Sequence, residues 1–174
     1  MTEVLEPPAL KTMDTVLNGI AFVCRVVTGL SLVVLTVIFG WLVYGRYVLN
    51  DTPTWVEQTA LLLVMTIAFL GAAVGTHENT HLAVTMVRSA LAPRLRLIVL
   101  GVTDIILGGF GLLMLYYGAE LTLFKWGSSI PLINVPEGLR SLPLTISGGL
   151  IVLFSAGHIV RLLTGRDRRV DVIQ

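Results

Sequence analysis

Four long apolar stretches, separated by short polar segments, dominate the pattern along the chain. They cover residues 16–45, 55–76, 97–118 and 144–163. Each holds about 20 residues or more, and a helix of that length extends about 30 Å, the thickness of the hydrocarbon core of a bilayer. Lipid offers no hydrogen-bonding partners, so stretches of this length favour helices. The pattern therefore predicts an all-α integral membrane protein with four transmembrane helices in one domain, 1–174.

A shorter segment between the second and third spans has a different pattern. Residues 81–91 mix apolar and polar positions and are too short to cross a bilayer. Their apolar positions suit one side of a helix, which is typical of helices that lie in the membrane interface. Pro93 follows soon afterwards. We therefore predict a short interfacial amphipathic helix over 81–91.

The second span begins with a helix-start signal and carries a narrow face. Thr54 and Glu57 have the spacing of a capping box, in which both side chains satisfy free amides of the first turn. Small residues then recur at three- and four-residue steps: Ala68, Gly71, Ala72 and Gly75. Helices in lipid associate through such faces because their backbones can approach closely. We predict a packing face here, used within the bundle or against a partner chain.

A second narrow face lies on the third span. It is formed by glycines at helical spacing, Gly101, Gly108 and Gly111, and Asp104 lies among them. We expect the glycines to serve the same kind of close packing. Four spans in a compact bundle cannot turn every narrow face inward, so at least one such face is expected to contact another protein.

Composition excludes several classes of protein. The chain is 55% hydrophobic and 13% charged, with a mean hydropathy of +0.85, far from the averages of soluble domains. A net charge of +1 without a basic patch gives no sign of nucleic-acid binding. The single cysteine, Cys24, cannot form an internal disulfide. The acidic N-terminal stretch lacks a small-residue cleavage site, so we expect the first span to be retained.

Lysine and arginine positions predict the orientation. Of the 12 such residues, only Arg46, Lys125 and Arg140 fall on the side opposite the chain termini. Cytoplasmic segments are enriched in these residues, so both termini are expected in the cytoplasm. Three tryptophans fall near the predicted outer ends of the spans, as in an interfacial belt: Trp41, Trp55 and Trp126.

The sequence His77-Glu78-Asn79-Thr80-His81 matches the HExxH pattern of zinc enzymes. In that pattern two histidines one helical turn apart bind zinc and the glutamate activates water. A working site also needs a third protein ligand and a continuous helix, whereas this segment follows a glycine-rich span end. We favour a solvated turn and predict neither a catalytic nor a metal site, with a membrane metalloprotease as an alternative.

Three polar residues are expected inside the bundle. His158 lies near the cytoplasmic end of the fourth span, at a depth that His77 can reach, so a haem-bearing anchor with two histidine ligands is a second alternative. Asp104 lies deep enough for its charge to need a partner. Arg25 and His158 are both candidates, and a structural pair is preferred to a transport role. No cofactor is predicted.

These residues together resemble the small membrane subunit (DctQ-like) of the tripartite ATP-independent periplasmic (TRAP) transporters. The resemblance covers nearly the whole chain. It rests on short motifs: Arg46-Tyr47-Val48, Trp55 with Glu57, Gly71-Ala72-Ala73, His81-Leu82, Pro93 with Arg96, and the loop from Pro131 to Pro136. Gln58 stands where the family usually has a second acid after Glu57.

The resemblance implies a multi-pass protein of the bacterial inner membrane that is an accessory or scaffold subunit and not an enzyme. The family's large membrane subunit carries an organic acid by symport with sodium, and a soluble periplasmic protein delivers that acid transiently. The small subunit is expected to pack against the large one, surrounded by membrane lipid. The sequence does not name the organic acid.

Overall fold

The computed structural model describes residues 8–51, 53–78, 93–131 and 133–164. Four long helices form the architecture: α1 Pro8–Tyr44, α2 Trp55–Glu78, α3 Pro93–Phe124 and α4 Leu142–Leu163. All four are long and apolar enough to cross a membrane. The prediction of an all-α membrane protein with four transmembrane helices is confirmed. The predicted interfacial helix, 81–91, lies outside the described residues.

Short, irregular connections join the helices at one end of the bundle. After α1 the backbone forms a π-helical turn, Gly45–Leu49, and then reverses at Asn50, whose φ of 52° lies in the left-handed region. After α3 a small antiparallel hairpin follows, β1 Ser129–Ile130 with β2 Val135–Pro136, and Asn134 has a φ of 48°. Asparagine tolerates this backbone region better than most residues do. Both turns therefore hold asparagine where the chain must reverse.

The hairpin is held between α3 and α4 by two short 3-10 helices. These are Lys125–Gly127 and Glu137–Arg140. Lys125 Nζ donates a hydrogen bond to Glu137 Oε1 at 2.7 Å, which joins the two helices directly. A Cβ on Gly138 would meet the Thr122 carbonyl oxygen at 2.6 Å, so only glycine fits there. The loop is thus packed against the end of α3.

Helix α1 packs on α2 along one stripe. The buried and half-buried positions of its first part recur at alternating four- and three-residue steps: Leu17, Ala21, Cys24, Thr28 and Ser31. A repeat of 3.5 residues keeps one seam against a neighbouring helix. Most apolar side chains on the other side of α1, such as Phe22 and Phe39, are exposed. In a membrane this side faces lipid or another chain.

Helix α4 is the centre of the bundle. It packs against both α2 and α3. Phe154 and Ile151 of α4 form a buried cluster with Ala73 of α2 and with Leu17 and Ala21 near the start of α1. The core therefore gathers α1, α2 and α4 at one end, while α3 is attached mainly through α4.

Glycines set the closest approach in the bundle, between α3 and α4. A Cβ on Gly148 would lie 2.5 Å from the Leu115 backbone nitrogen and 2.9 Å from the Gly111 carbonyl oxygen. A Cβ on Gly118 would lie 2.9 Å from Thr145 Oγ1. Distances this short leave no room for any side chain. The narrow face predicted on the third span is thus used inside this chain.

We expect Gly148→Ala to destabilise the protein and Gly109→Ala to leave it unchanged or slightly more stable. The new methyl group at Gly148 would separate α3 from α4, and overpacking of this kind costs about 1–3 kcal/mol. A Cβ at Gly109, in contrast, meets no atom within 4 Å. Unfolding of the purified chain in mixed detergent micelles measures both. Equal stabilities of the two variants would contradict this account of the α3 and α4 contact.

Candidate functional site: packing faces and a buried polar chain

A chain of polar side chains crosses all four helices near their predicted cytoplasmic ends. Asp104 of α3 and His158 of α4 are 2% and 4% exposed, and His158 Nδ1 lies 3.6 Å from Asp104 Oδ1. The His158 ring lies 6.2 Å from the ring of His77, on α2, with the two planes nearly parallel. His77 Nε2 in turn lies 2.8 Å from Asn18 Oδ1, on α1. We call these four residues the polar chain.

The polar chain resolves the pairing that the sequence left open. Of the two candidate partners for Asp104, His158 is the one beside it, whereas Arg25 donates a hydrogen bond to Glu78 at the end of α2. Arg25 is exposed and its long side chain can reach from a membrane position to the interface. Buried carboxylates inside a membrane almost always have such a partner.

Two ion pairs surround the polar chain at the same end of the bundle. Arg25 with Glu78 joins α1 to α2, and Arg161 with Asp14 joins α4 to α1. Each pair links different helices and is at least partly accessible. Pairs that keep some water contact cost less to form than fully buried ones. Together with the polar chain they fix the relative positions of the helix ends.

The residues of the HExxH pattern have other contacts in this structure. His77 and Glu78 close α2, and their side chains contact Asn18 and Arg25. Asn79, Thr80 and His81 lie outside the described residues. Within the described ranges, no group of three or more His, Cys, Asp or Glu side chains is placed to hold a metal ion. The two histidines proposed as haem ligands, His77 and His158, face Asn18 and Asp104.

The narrow face of α2 is divided between two directions. A Cβ on Gly71 would meet the Thr28 methyl group at 4.0 Å, so Gly71 faces α1. Ala68 and Ala72 are exposed, and Gly75 is half-buried. On α3, Gly108 faces Ser155 at 3.5 Å and Gly101 faces Leu162 at 3.2 Å, measured from an added Cβ. The α3 face is therefore occupied by α4, while part of the α2 face remains open.

The motif residues of the first outer turn lie on the surface. Arg46 and Tyr47 belong to the π-helical turn and are exposed, and Trp55 and Glu57 are exposed in the first turn of α2. Glu57 lies where the helix dipole favours a negative charge. His81 lies outside the described residues. These side chains form an accessible rim at the end of the bundle opposite the polar chain.

Sequence reasoning missed three contacts between elements far apart in the chain. Arg140 in the loop before α4 donates a hydrogen bond to Gln58 at the start of α2. Ser147 of α4 donates to the backbone carbonyl of Phe69 at 2.7 Å. The third is the pair of Asp14 and Arg161. Spacing along one helix carries no signal for such contacts, because each depends on which helices become neighbours.

Comparison with known proteins places most of the chain in one family. Residues 16–165 match the family model described as tripartite ATP-independent periplasmic transporters, DctQ component. The sialic acid TRAP transporter small permease protein SiaQ of Vibrio cholerae serotype O1 is 27% identical over 88 residues, which cover 51% of this chain and 49% of that protein. The chain thus spans about half the length of that relative.

A second relative aligns over a longer stretch. A putative TRAP transporter small permease protein of Haemophilus influenzae is 29% identical over 123 residues, covering 68% of this chain and 72% of that protein. Both similarities favour a transporter subunit over the metalloprotease and haem-anchor alternatives.

The pairing of Asp104 with His158 is testable by a double-mutant cycle. We expect Asp104→Asn and His158→Gln each to destabilise the chain, and the double variant to lose less than the sum of the two, with a coupling of about 0.5–3 kcal/mol. Asp104→Lys should be worse than Asp104→Asn, because it buries an ammonium group beside an imidazole. Detergent unfolding gives the four stabilities. Strict additivity of the two single effects would mean that the side chains do not interact.

Proposed function

The chain belongs to the DctQ component family of the tripartite ATP-independent periplasmic transporters, and we propose that it is the scaffold subunit of a sodium-coupled transporter for organic acids. In this proposal it packs against the large membrane subunit, which carries the substrate, while a periplasmic protein delivers the substrate transiently. The observation that carries the proposal is the family match over residues 16–165.

The packing of the bundle supports a scaffold role over a transport path. The α3 and α4 helices meet at backbone distance around Gly148, and the buried charges in the polar chain are held by neighbouring side chains. A substrate path at the membrane midplane needs broken helices or a polar cavity. In the described residues the central parts of α2, α3 and α4 are continuous helix. A rigid bundle of this kind is suited to support a moving partner.

The name of one relative supports the substrate class. The Vibrio cholerae relative is named for sialic acid. Sialic acid is an organic acid, which agrees with an organic acid as the substrate here. We do not assign a particular acid, because in this proposal the residues that contact it belong to the other chains.

The open part of the α2 face is our candidate for the contact with the large subunit. Ala68 and Ala72 lie one helical turn apart and are exposed, although alanines at this spacing are suited to close helix packing. In the lipid environment there is no hydrophobic drive between helices, so a shape that permits close approach favours association. A transmembrane helix of the large subunit is the partner that this face fits.

Reconstitution of the three components in proteoliposomes tests the proposal. Uptake of organic acids should require this chain, the large subunit, the binding protein and an inward sodium gradient. Replacing both Ala68 and Ala72 by leucine should reduce uptake and co-purification of the large subunit together, since overpacking costs about 1–3 kcal/mol. Full uptake without this chain would reject the function, and unchanged association of the variant would reject the interface.

Gly71→Leu serves as the matched control for that experiment. Gly71 faces Thr28 inside the chain, so this substitution should lower the stability of the isolated subunit. The double alanine variant should leave the isolated subunit as stable as the unmodified protein, because both alanines are exposed. The comparison separates loss of the interface from loss of the fold.

We further propose that both termini face the cytoplasm of a bacterial inner membrane. The support is the uneven distribution of lysine and arginine. Trp55 and Trp126 lie near the end of the bundle that this orientation assigns to the periplasm, and Arg161 lies near the opposite end. The accessible rim of the outer turn and the hairpin would then be available to the binding protein.

Cysteine labelling determines the orientation. In a Cys24→Ala background, Ser128→Cys should react with a membrane-impermeant maleimide added to intact spheroplasts. Thr164→Cys should react only after the membrane is permeabilised. Both positions are exposed, so accessibility within the fold does not limit the reaction. Labelling of Thr164→Cys alone in intact spheroplasts would invert the orientation.

A further inference from the structure

Helix α3 carries an acidic residue, Glu120, on its outward surface. The sequence pattern predicted the end of the third span at Gly118, but the helix continues to Phe124, and Thr122 Oγ1 donates to the Gly118 carbonyl within it. Glu120 lies four residues before the helix end, which places it about 6 Å further into the span than Phe124. Its side chain is exposed.

Glu120 differs from the other acidic residues in and beside the spans. Asp14, Glu78, Asp104 and Glu137 each lie within ion-pair distance of a basic or imidazole group of another element. Over the part of the chain that the structure describes, the Glu120 carboxylate has no hydrogen bond or ion pair. Acidic side chains within membrane spans are costly and usually have partners. Its partner is therefore to be sought outside this chain.

The surroundings of Glu120 have the chemistry of a cation site. Tyr117, Glu120, Leu121 and Phe124 line a surface concavity of about 480 Å³, which we call the Glu120 site. Tyr117 and Phe124 are 61% and 84% exposed and lie seven residues apart on the same side of the helix as the carboxylate. Aromatic faces attract ammonium and guanidinium groups, and a carboxylate beside them adds an ion pair. No anionic or neutral ligand would gain from this combination.

We propose that the Glu120 site receives a lysine or arginine side chain from a transmembrane helix of a partner chain. The site extends inward from the helix end along two turns, to Tyr117. A basic side chain on an adjacent helix can enter at this depth from the side, whereas the ammonium group of a lipid lies outside the hydrocarbon region. Taking the partner as the large membrane subunit rests on the proposed function.

The test compares association of the purified large subunit with the full chain and its variants. Glu120→Gln keeps the shape and removes the charge, so binding should weaken about tenfold or more, as expected when one member of a desolvated charge pair is lost. Glu120→Lys should weaken it further, and reversing the partner's basic residue to glutamate should restore binding of Glu120→Lys. Asp51→Asn, at an exposed acid in the outer turn, is the matched control and should bind normally.

The outcomes separate this proposal from the proposed function. If the unmodified chain binds the large subunit and both Glu120 variants bind equally well, the cation site is wrong and the scaffold function stands. If the unmodified chain forms no complex, both are wrong. Thermal unfolding of the isolated chain in nanodiscs with and without phosphatidylethanolamine covers the lipid alternative. Stabilisation by that lipid, lost in Glu120→Gln, would assign the site to a lipid ammonium and overturn the proposal.

Discussion

The backbone contact between α3 and α4 is the interaction on which the rest of the bundle depends. Lipid tails are as apolar as leucine, so burial of apolar side chains gives little drive for association, and close packing must provide it. Around Gly148 the two helices approach until a single methyl group would clash with the backbone. This contact fixes the register of α4 against α3. The same register brings His158 beside Asp104, three turns away along α4.

The polar chain follows from that register and stabilises the other end of the bundle. Charged and polar groups in a span are costly unless they satisfy one another. Here Asn18, His77, His158 and Asp104 come from four different helices, so each contact also ties two helices together. Close packing and polar contacts therefore divide the task. Glycines bring α3 and α4 together, and the polar chain joins this pair to α1 and α2.

The sequence predicted the elements well because each rests on a local pattern. Span length, the narrow faces and the turn asparagines depend on residues that are neighbours along one helix or loop. The pairing of faces depends on which helices become neighbours. Spacing alone therefore left Asp104 with two candidate partners, and it gave no indication that Gly71 faces Thr28 while Ala72 is exposed.

The end of the third span shows a second reason for failure. Glu120 and Lys125 lower the hydropathy after Gly118, and this favours a span end there. Helix formation, however, depends on backbone hydrogen bonds, and no proline or other breaker interrupts them before Phe124. A polar residue in a transmembrane helix is therefore better interpreted as a residue in need of a partner than as the end of the helix.

The arrangement of helices explains why this bundle has surfaces left to offer. With α4 at the centre and α1 attached mainly through one stripe, much of α1 and the outward side of α3 have no neighbour among the described residues. A four-span chain cannot enclose all its faces, and apolar faces can remain in contact with lipid at little cost. Alanines at close-packing spacing and an acidic residue gain more from a protein neighbour than from lipid tails. Ala68 with Ala72 and the Glu120 site lie on different helices, so a partner that contacts both must extend around more than one side of the subunit.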